Sequence, residues 1–337
     1  MRFGLTILPE HRWAKAAPIW RRAEELGFDH AWTYDHLVWG GLPDSPWFGT
    51  TPTLAAAAMV TSTIRLGTFV TSPNYRHPVT LMRDLLALDD ISGGRLICGI
   101  GVGGDIDSVI LGGQVLTPGQ RVDRLHEFTE LLDRLLTTDH VTGDGTYFSA
   151  VDARTLPGPV QQPRIPFVMA ANGPRSLRTA VEFGEGWVTT GPKAETMDKW
   201  WVALAVLCRR LDQTLAEAGR DAATFDRYLS LDSSPLFALT SVGTFEEMAG
   251  RAGELGFTDV ITHWPRPNGP YAGVVSVLEA VASDVVPTFR PNPQTDKITR
   301  FGLGQSDQGD RGQGGPKPSP AAKSRSTPCG PCWLFRK

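Results

Sequence analysis

The chain has 337 residues, 41% of them hydrophobic, and a formal net charge of −3. That length supports one large domain or two ordinary ones with a full core. The interspersed, slightly acidic charge leaves no basic footprint for nucleic acid, no apolar run approaches the ~20 residues that span a bilayer, and four scattered cysteines make no disulfide framework.

The opening stretch, Met1 to Glu10, is short for a signal peptide and lacks a small-residue cleavage site, so it reads as a first strand and the cytoplasm is the expected location. Further β-like runs follow at His30–Tyr34, Ile64–Thr71, Leu96–Ile100, Phe167–Ala171, Gly186–Thr190, Tyr228–Leu231 and Asp259–His263. Between them apolar residues recur at helical spacing, as in Trp13/Ala16/Ala17/Trp20/Ala23 and Leu125/Phe128/Leu132/Leu135. Alternating strand and helix implies a parallel sheet, and eight such units match a (β/α)8 TIM barrel over residues 1–290. A doubly wound open sheet is the rival, but Pro9-Glu10-His11 stands where its glycine fingerprint belongs.

Two long loops depart from a minimal barrel. Leu37 to Thr51 follows the second strand, and Asp139 to Gln162 forms an insertion between strands four and five with a small hairpin at Tyr147-Phe148. Long loops at a barrel mouth are where substrate recognition is placed. From residue 291 to 337 the composition turns to Gly, Pro, Ser and Gln, which predicts a disordered tail.

The chemistry-bearing stretches stand at strand ends. Asp35-His36 can hydrogen-bond a cofactor and carry a proton near neutral pH. Gly67 to Pro78, Gly99-Ile100-Gly101-Val102-Gly103-Gly104 and Met169 to Pro174 surround the same mouth. Glycines there let a flat ring approach the backbone. Gly173-Pro174 opens a helix whose free N–H groups suit a phosphate, and Thr189-Thr190-Gly191-Pro192-Lys193 adds hydroxyls and a cation. Together these predict a ring-plus-phosphate cofactor with a histidine at its reactive edge. No His-x-His or His-Glu-x-x-His spacing supports a metal site. Ser176 and Ser234 lack a nucleophile-elbow context, and Cys329-Gly330-Pro331-Cys332 lacks the strand-to-helix setting of a redox pair.

In these motifs the chain resembles the luciferase-like flavin and deazaflavin oxidoreductases, specifically the coenzyme F420-dependent branch, from Met1 to about Arg290. The resemblance includes the late segment Leu255 to Pro267. It implies coenzyme F420, with FMN as the alternative, a small-molecule substrate and a homodimer. By resemblance Asp35 and His36 adjoin the deazaflavin, with His36 handling a proton and Asp35 orienting it. Phe69 and Val70 form a bulge, often with a non-prolyl cis peptide, behind the central ring, and Thr71, Gly101 and Gly103 border it. Ala171, Asn172 and Gly173 correspond to phosphate contacts, and Thr190 and Gly191 to further tail contacts. Trp39, Asp105, His263 and Arg266 are the expected substrate-pocket residues.

Two departures shape the expected reaction. The sugar-phosphate dehydrogenases of this branch carry a glutamate where this chain has Gly104, and the nearby carboxylate is Asp105. Their Lys/Arg phosphate cluster is also not evident. Reduction of a C=C or C=N bond is therefore favoured over alcohol oxidation. An FMN-dependent monooxygenase and a non-catalytic cofactor-binding barrel are the alternatives.

Overall fold

A computed structural model describes residues Met1–Arg290, and the predicted tail lies outside the described residues. Among the described residues, eight parallel strands close into a barrel. They are β1 (Arg2–Thr6), β2 (His30–Thr33), β3 (Arg65–Thr68) and β4 (Leu96–Gly101), followed by β7 (Phe167–Ala170), β8 (Gly186–Thr189), β9 (Asp226–Ser230) and β10 (Asp259–His263). Closure comes from β1 pairing with both β2 and β10, Gly4 opposite His30 and Phe3 opposite Val260. The expected (β/α)8 TIM barrel is the observed fold, with strand limits moved by at most three residues.

The interruption in the strand count is the insertion between the fourth and fifth barrel strands. It holds β5 (Val141–Asp144) and β6 (Ser149–Ala153), an antiparallel hairpin whose turn contains Tyr147 and Phe148. The helices are α1 (Trp13–Glu25), α2 (Thr50–Val60), α3 (Pro78–Ser92), α4 (Ile106–Ile110), α5 (Pro118–Thr137), α6 (Pro174–Phe183), α7 (Met197–Glu217), α8 (Val242–Glu254) and α9 (Val275–Ala280). On α5 the residues that face the barrel are those at helical spacing, Leu125, Phe128, Leu132 and Leu135, all fully buried. Each such side chain contributes about 1.5–3 kcal/mol through the apolar area it takes from water. A Thr117–Gln120 capping box and Pro118 in the first turn fix where α5 begins.

Strand residues alternate between two cores. Phe3, Leu5, Ala31, Leu66 and Phe167 point outward under the helices, whereas Trp32, Phe69, Ile97, Val168, Val188 and Ile261 fill the barrel. The lower end is closed by polar groups. Arg2 and His30 share the buried carboxylate of Asp259, and Trp32 Nε1 donates to His30 Nδ1. Apolar filling and a sealed base close the barrel below, and the main cavity opens at the upper end, where the strand C-termini lie. No described helix is long and apolar enough to cross a membrane.

Candidate active site

The upper end holds a cavity of about 490 Å3. Its walls include Tyr34, His36 and Trp39 after β2, Phe69 and Val70 after β3, and Gly101 to Gly104 after β4. Ala170, Ala171 and Asn172 after β7, Ser176 on α6, and Val188 to Thr190 complete it. The Phe69–Val70 peptide is cis. Gly101 and Gly103 form the floor for a steric reason. A Cβ on Gly101 would meet Val70 Cγ2 at 2.7 Å, and one on Gly103 would lie 2.8 Å from Ser72 Oγ. Gly103 also has φ +67°, where L side chains are strained.

Asp35 and His36 leave the strand in opposite directions, as successive residues of an extended chain must. Asp35 is fully buried and turns to the loop after β3. Arg76 Nη2 donates to its Oδ1 at 2.6 Å and Nε to its Oδ2 at 3.1 Å, joined by the Thr71 and Tyr75 hydroxyls. Burial opposes ionisation here, yet Arg76 outweighs it and, with the two hydroxyls, holds the carboxyl below its ordinary value. Burial likewise pushes the Tyr75 hydroxyl up.

His36 turns to α4 instead. Its Nδ1 lies 2.7 Å from Oδ2 of the fully buried Asp107, whose Oδ1 accepts the Leu37 backbone N–H at 2.8 Å. Among the described residues Nε2 of His36 has no hydrogen-bond partner. The expectation that Asp35 orients His36 is therefore corrected: Asp107 does, because the Asp35 carboxylate is taken up by Arg76.

Of the remaining expected residues, Ala171, Asn172 and Thr190 line the cavity, and Gly173 caps α6 just beyond Asn172. Ser176 Oγ takes the Gly173 N–H at 3.2 Å, while the first-turn N–H groups of Arg175 and Ser176 meet no side-chain acceptor and stay open to an anion. Gly191, at φ +69°, is buried and its N–H bonds Thr189 Oγ1. Thr71 is buried against Asp35 and does not reach the cavity surface. Trp39 lines the cavity and stacks with Tyr271 at 5.9 Å.

Three expected substrate-pocket residues lie elsewhere. Asp105 faces Arg121 at 3.4 Å, outside the cavity wall. Arg266 makes a two-point ion pair with Glu10 in a separate hollow between the ends of β1 and β10. His263 is buried beneath the site, between Asp232 and Tyr34. Each is drawn off by a partner remote in sequence. Among the described residues no group of three or more His, Cys, Asp or Glu is placed to hold a metal ion.

Residues 1–234 match the family described as luciferase-like monooxygenase. The chain belongs to this family. It is 31% identical over 219 residues to the F420-dependent glucose-6-phosphate dehydrogenase of Microbacterium testaceum, spanning 63% of this chain and 61% of that relative. It is 30% identical over 313 residues to the enzyme of the same description from Kineococcus radiotolerans, spanning 83% and 88%. The coenzyme F420-dependent tetrahydromethanopterin reductase of Methanopyrus kandleri has the same fold, with a TM-score of 0.69 at 22% identity over 86% of this chain and 99% of that one.

In this luciferase-like protein the side chains that sequence reasoning missed are Asp107, Tyr34 and Asp232. Asp107 sits in Ile106-Asp107-Ser108 with no periodic signal around it. Asp232 had a weak signal, an acidic residue immediately after a predicted strand, which is where barrel enzymes place functional groups.

Proposed function

We propose that this protein is a coenzyme F420-dependent oxidoreductase that reduces a conjugated C=C or C=N bond. The observation that carries the reading is the glycine-floored cavity with the His36 imidazole at its wall, Nδ1 held by Asp107 and Nε2 free. The F420-dependent relatives support the choice of cofactor. The residues present fit such a group. Gly101 and Gly103 leave room for a flat ring against Val70, and the open first turn of α6 beside Asn172 suits a phosphate.

When bound, coenzyme F420 supplies a hydride at its C5 carbon. The chain's own residues do the rest. Phe69, Val70 and the glycines would hold the ring, while Asp107 keeps the His36 Nδ1 hydrogen directed at itself and Nε2 open for a proton transfer. Asp107 also balances the charge when the imidazole is protonated. The absence of a carboxylate at Gly104, with Asp105 engaged by Arg121, favours reduction and speaks against a sugar phosphate as substrate. We further propose a homodimer located in the cytoplasm, and light scattering of the purified protein checks the dimer.

Titration with coenzyme F420 and FMN in parallel tests the cofactor. Coenzyme F420 should bind with a Kd in the micromolar range or below, about −8 kcal/mol, and FMN at least ~10-fold more weakly. Tighter FMN binding, or protein purified yellow with FMN, would move the reading to a monooxygenase. Reduced coenzyme F420 mixed with a panel of enones, imines and ketones then identifies the acceptor from loss of the reduced form.

Gly101→Ala offers a second check. The added methyl presses on Val70 Cγ2 and Ala170 Cβ and pushes the wall into the cavity. Affinity for coenzyme F420 should fall roughly tenfold, about 1.4 kcal/mol, beside a stability loss of about 1–3 kcal/mol from the forced shift of Val70. Unchanged affinity would remove the glycine floor from the binding site.

A further inference from the structure

The upper layer of the barrel carries a second chain of ionisable groups that the mechanism above does not use. Asp232, just past β9, has a fully buried side chain and pairs with no Lys or Arg among the described residues. Its Oδ2 accepts from the His263 backbone N–H at 2.6 Å, from Thr262 Oγ1 at 2.9 Å and from His263 Nδ1 at 2.8 Å. Its Oδ1 accepts from the Ala238 N–H at 3.0 Å. Backbone N–H groups only donate, so both oxygens serve as acceptors and the imidazole hydrogen belongs on Nδ1.

The other ring nitrogen continues the chain. His263 Nε2 lies 2.9 Å from Tyr34 Oη, and Tyr271 Oη lies 3.2 Å from the same oxygen. Tyr271 stacks on the His263 ring at 3.6 Å and is partly exposed, whereas Tyr34 lines the main cavity. Three separate strand ends therefore deliver a carboxylate, an imidazole and a phenol to one point beside the cavity. A buried carboxylate with no Lys or Arg beside it costs several kcal/mol in an apolar setting, so a merely structural barrel layer is better filled with apolar groups.

We propose that Asp232, His263 and Tyr34 form a proton-delivery chain, with Tyr34 as the acid at the cavity wall, His263 as the group that reprotonates it and Asp232 as the positioning residue behind them. The proposal rests on the reductase reading, in which reduced coenzyme F420 is the reductant. A phenol oxygen has one hydrogen and two acceptor sites. His263 and Tyr271 occupy two of these three, and one position is left for substrate.

The proton balance is as follows. With His263 as imidazolium, Nε2–H donates to Tyr34 Oη and the Tyr34 hydrogen turns to the substrate. As the substrate carbon receives its hydride, the π pair moves to the neighbouring atom, which takes the Tyr34 proton, and His36 Nε2 would take up the proton released along with the hydride. Tyr34 Oη takes the Nε2 proton in the same movement, and His263 is left neutral with Nδ1–H still on Asp232. Tyr271, partly exposed, lies on the route by which water restores the proton. Burial pushes the Tyr34 hydroxyl well above the usual phenol range, Tyr271 adding to it, so Tyr34 is a neutral phenol before and after the step.

The test uses the full-length protein labelled with 15N-histidine. In the wild type His263 Nδ1 should be protonated throughout, with only Nε2 exchanging its proton. Tyr34→Phe keeps the ring and removes the hydroxyl, so the Nε2 resonance should move to that of an imidazole nitrogen without a hydrogen-bond partner, while Tm stays within a few degrees. With reduced coenzyme F420 and the acceptor found by the panel, Tyr34→Phe should lower kcat by roughly 10–10³ and change the acceptor KM by less than about threefold. Asp232→Asn should lower kcat in the same range without loss of coenzyme F420 binding. A wild-type His263 that carries its proton on Nε2 alone overturns the proposal. So does a folded Tyr34→Phe protein with wild-type kcat. Failure of the wild type to bind coenzyme F420 would overturn the cofactor reading instead, and the imidazole resonances would still decide the chain's direction.

Discussion

His36→Ala is expected to lower turnover with reduced coenzyme F420 by roughly 10²–10⁴, the usual contribution of a positioned acid or base. The imidazole stands at the cavity wall with Nδ1 on Asp107 and Nε2 open, so its removal takes away the proton-handling atom and little else. Affinity for coenzyme F420 should change far less, because the glycine floor and the α6 start are untouched. Asp107→Asn should give a smaller loss, roughly 10–100-fold, since the amide oxygen can still receive the Nδ1 hydrogen but no longer balances an imidazolium. Asp35→Asn should act chiefly on stability. Rates measured beside Tm and cofactor affinity separate these cases. A folded His36→Ala protein with wild-type turnover would take His36 out of the mechanism and leave Tyr34 as the acid.

The barrel was legible because its signals are local. Alternating apolar runs and helical spacing announce strands and helices one at a time, and eight units leave few closures open. The strand-end glycines were legible for the same reason, since close approach to a ring needs no partner from elsewhere. What the sequence could not display were pairings across loops. Asp35 and His36 are adjacent in sequence, and adjacency suggested a working pair. The extended backbone sends them to opposite sides, where Arg76 and Asp107 claim them separately. Arg266 reads equally well as a substrate cation until Glu10, 256 residues away, is placed against it. Asp232 and His263 meet only because β9 and β10 are neighbours in the closed sheet. An ionisable residue near a strand end therefore predicted a place at the barrel mouth, and its partner awaited the topology.

Arg76→Ala is expected to cost about 3–5 kcal/mol of stability at pH 7, because it strands the fully buried Asp35 carboxylate without its cation. The sign of the pH dependence should also change. In the wild type Asp35 has a folded-state pKa below its unfolded value, so its contribution is present above about pH 4 and is lost as pH falls through the folded value. Without Arg76, burial becomes the dominant influence and raises the folded value above the unfolded one. The variant's deficit should then shrink as pH falls from 7 toward 5, because the buried group can take up a proton. Asp35→Asn combined with Arg76→Ala should recover part of the loss, since the double variant buries no unpaired charge. Urea unfolding of the four proteins at pH 7 and pH 5 measures all of this. A deficit below about 1 kcal/mol at pH 7, the range of an exposed ion pair, would mean that solvent reaches Asp35 and that the loop beside His36 is not held by this pair.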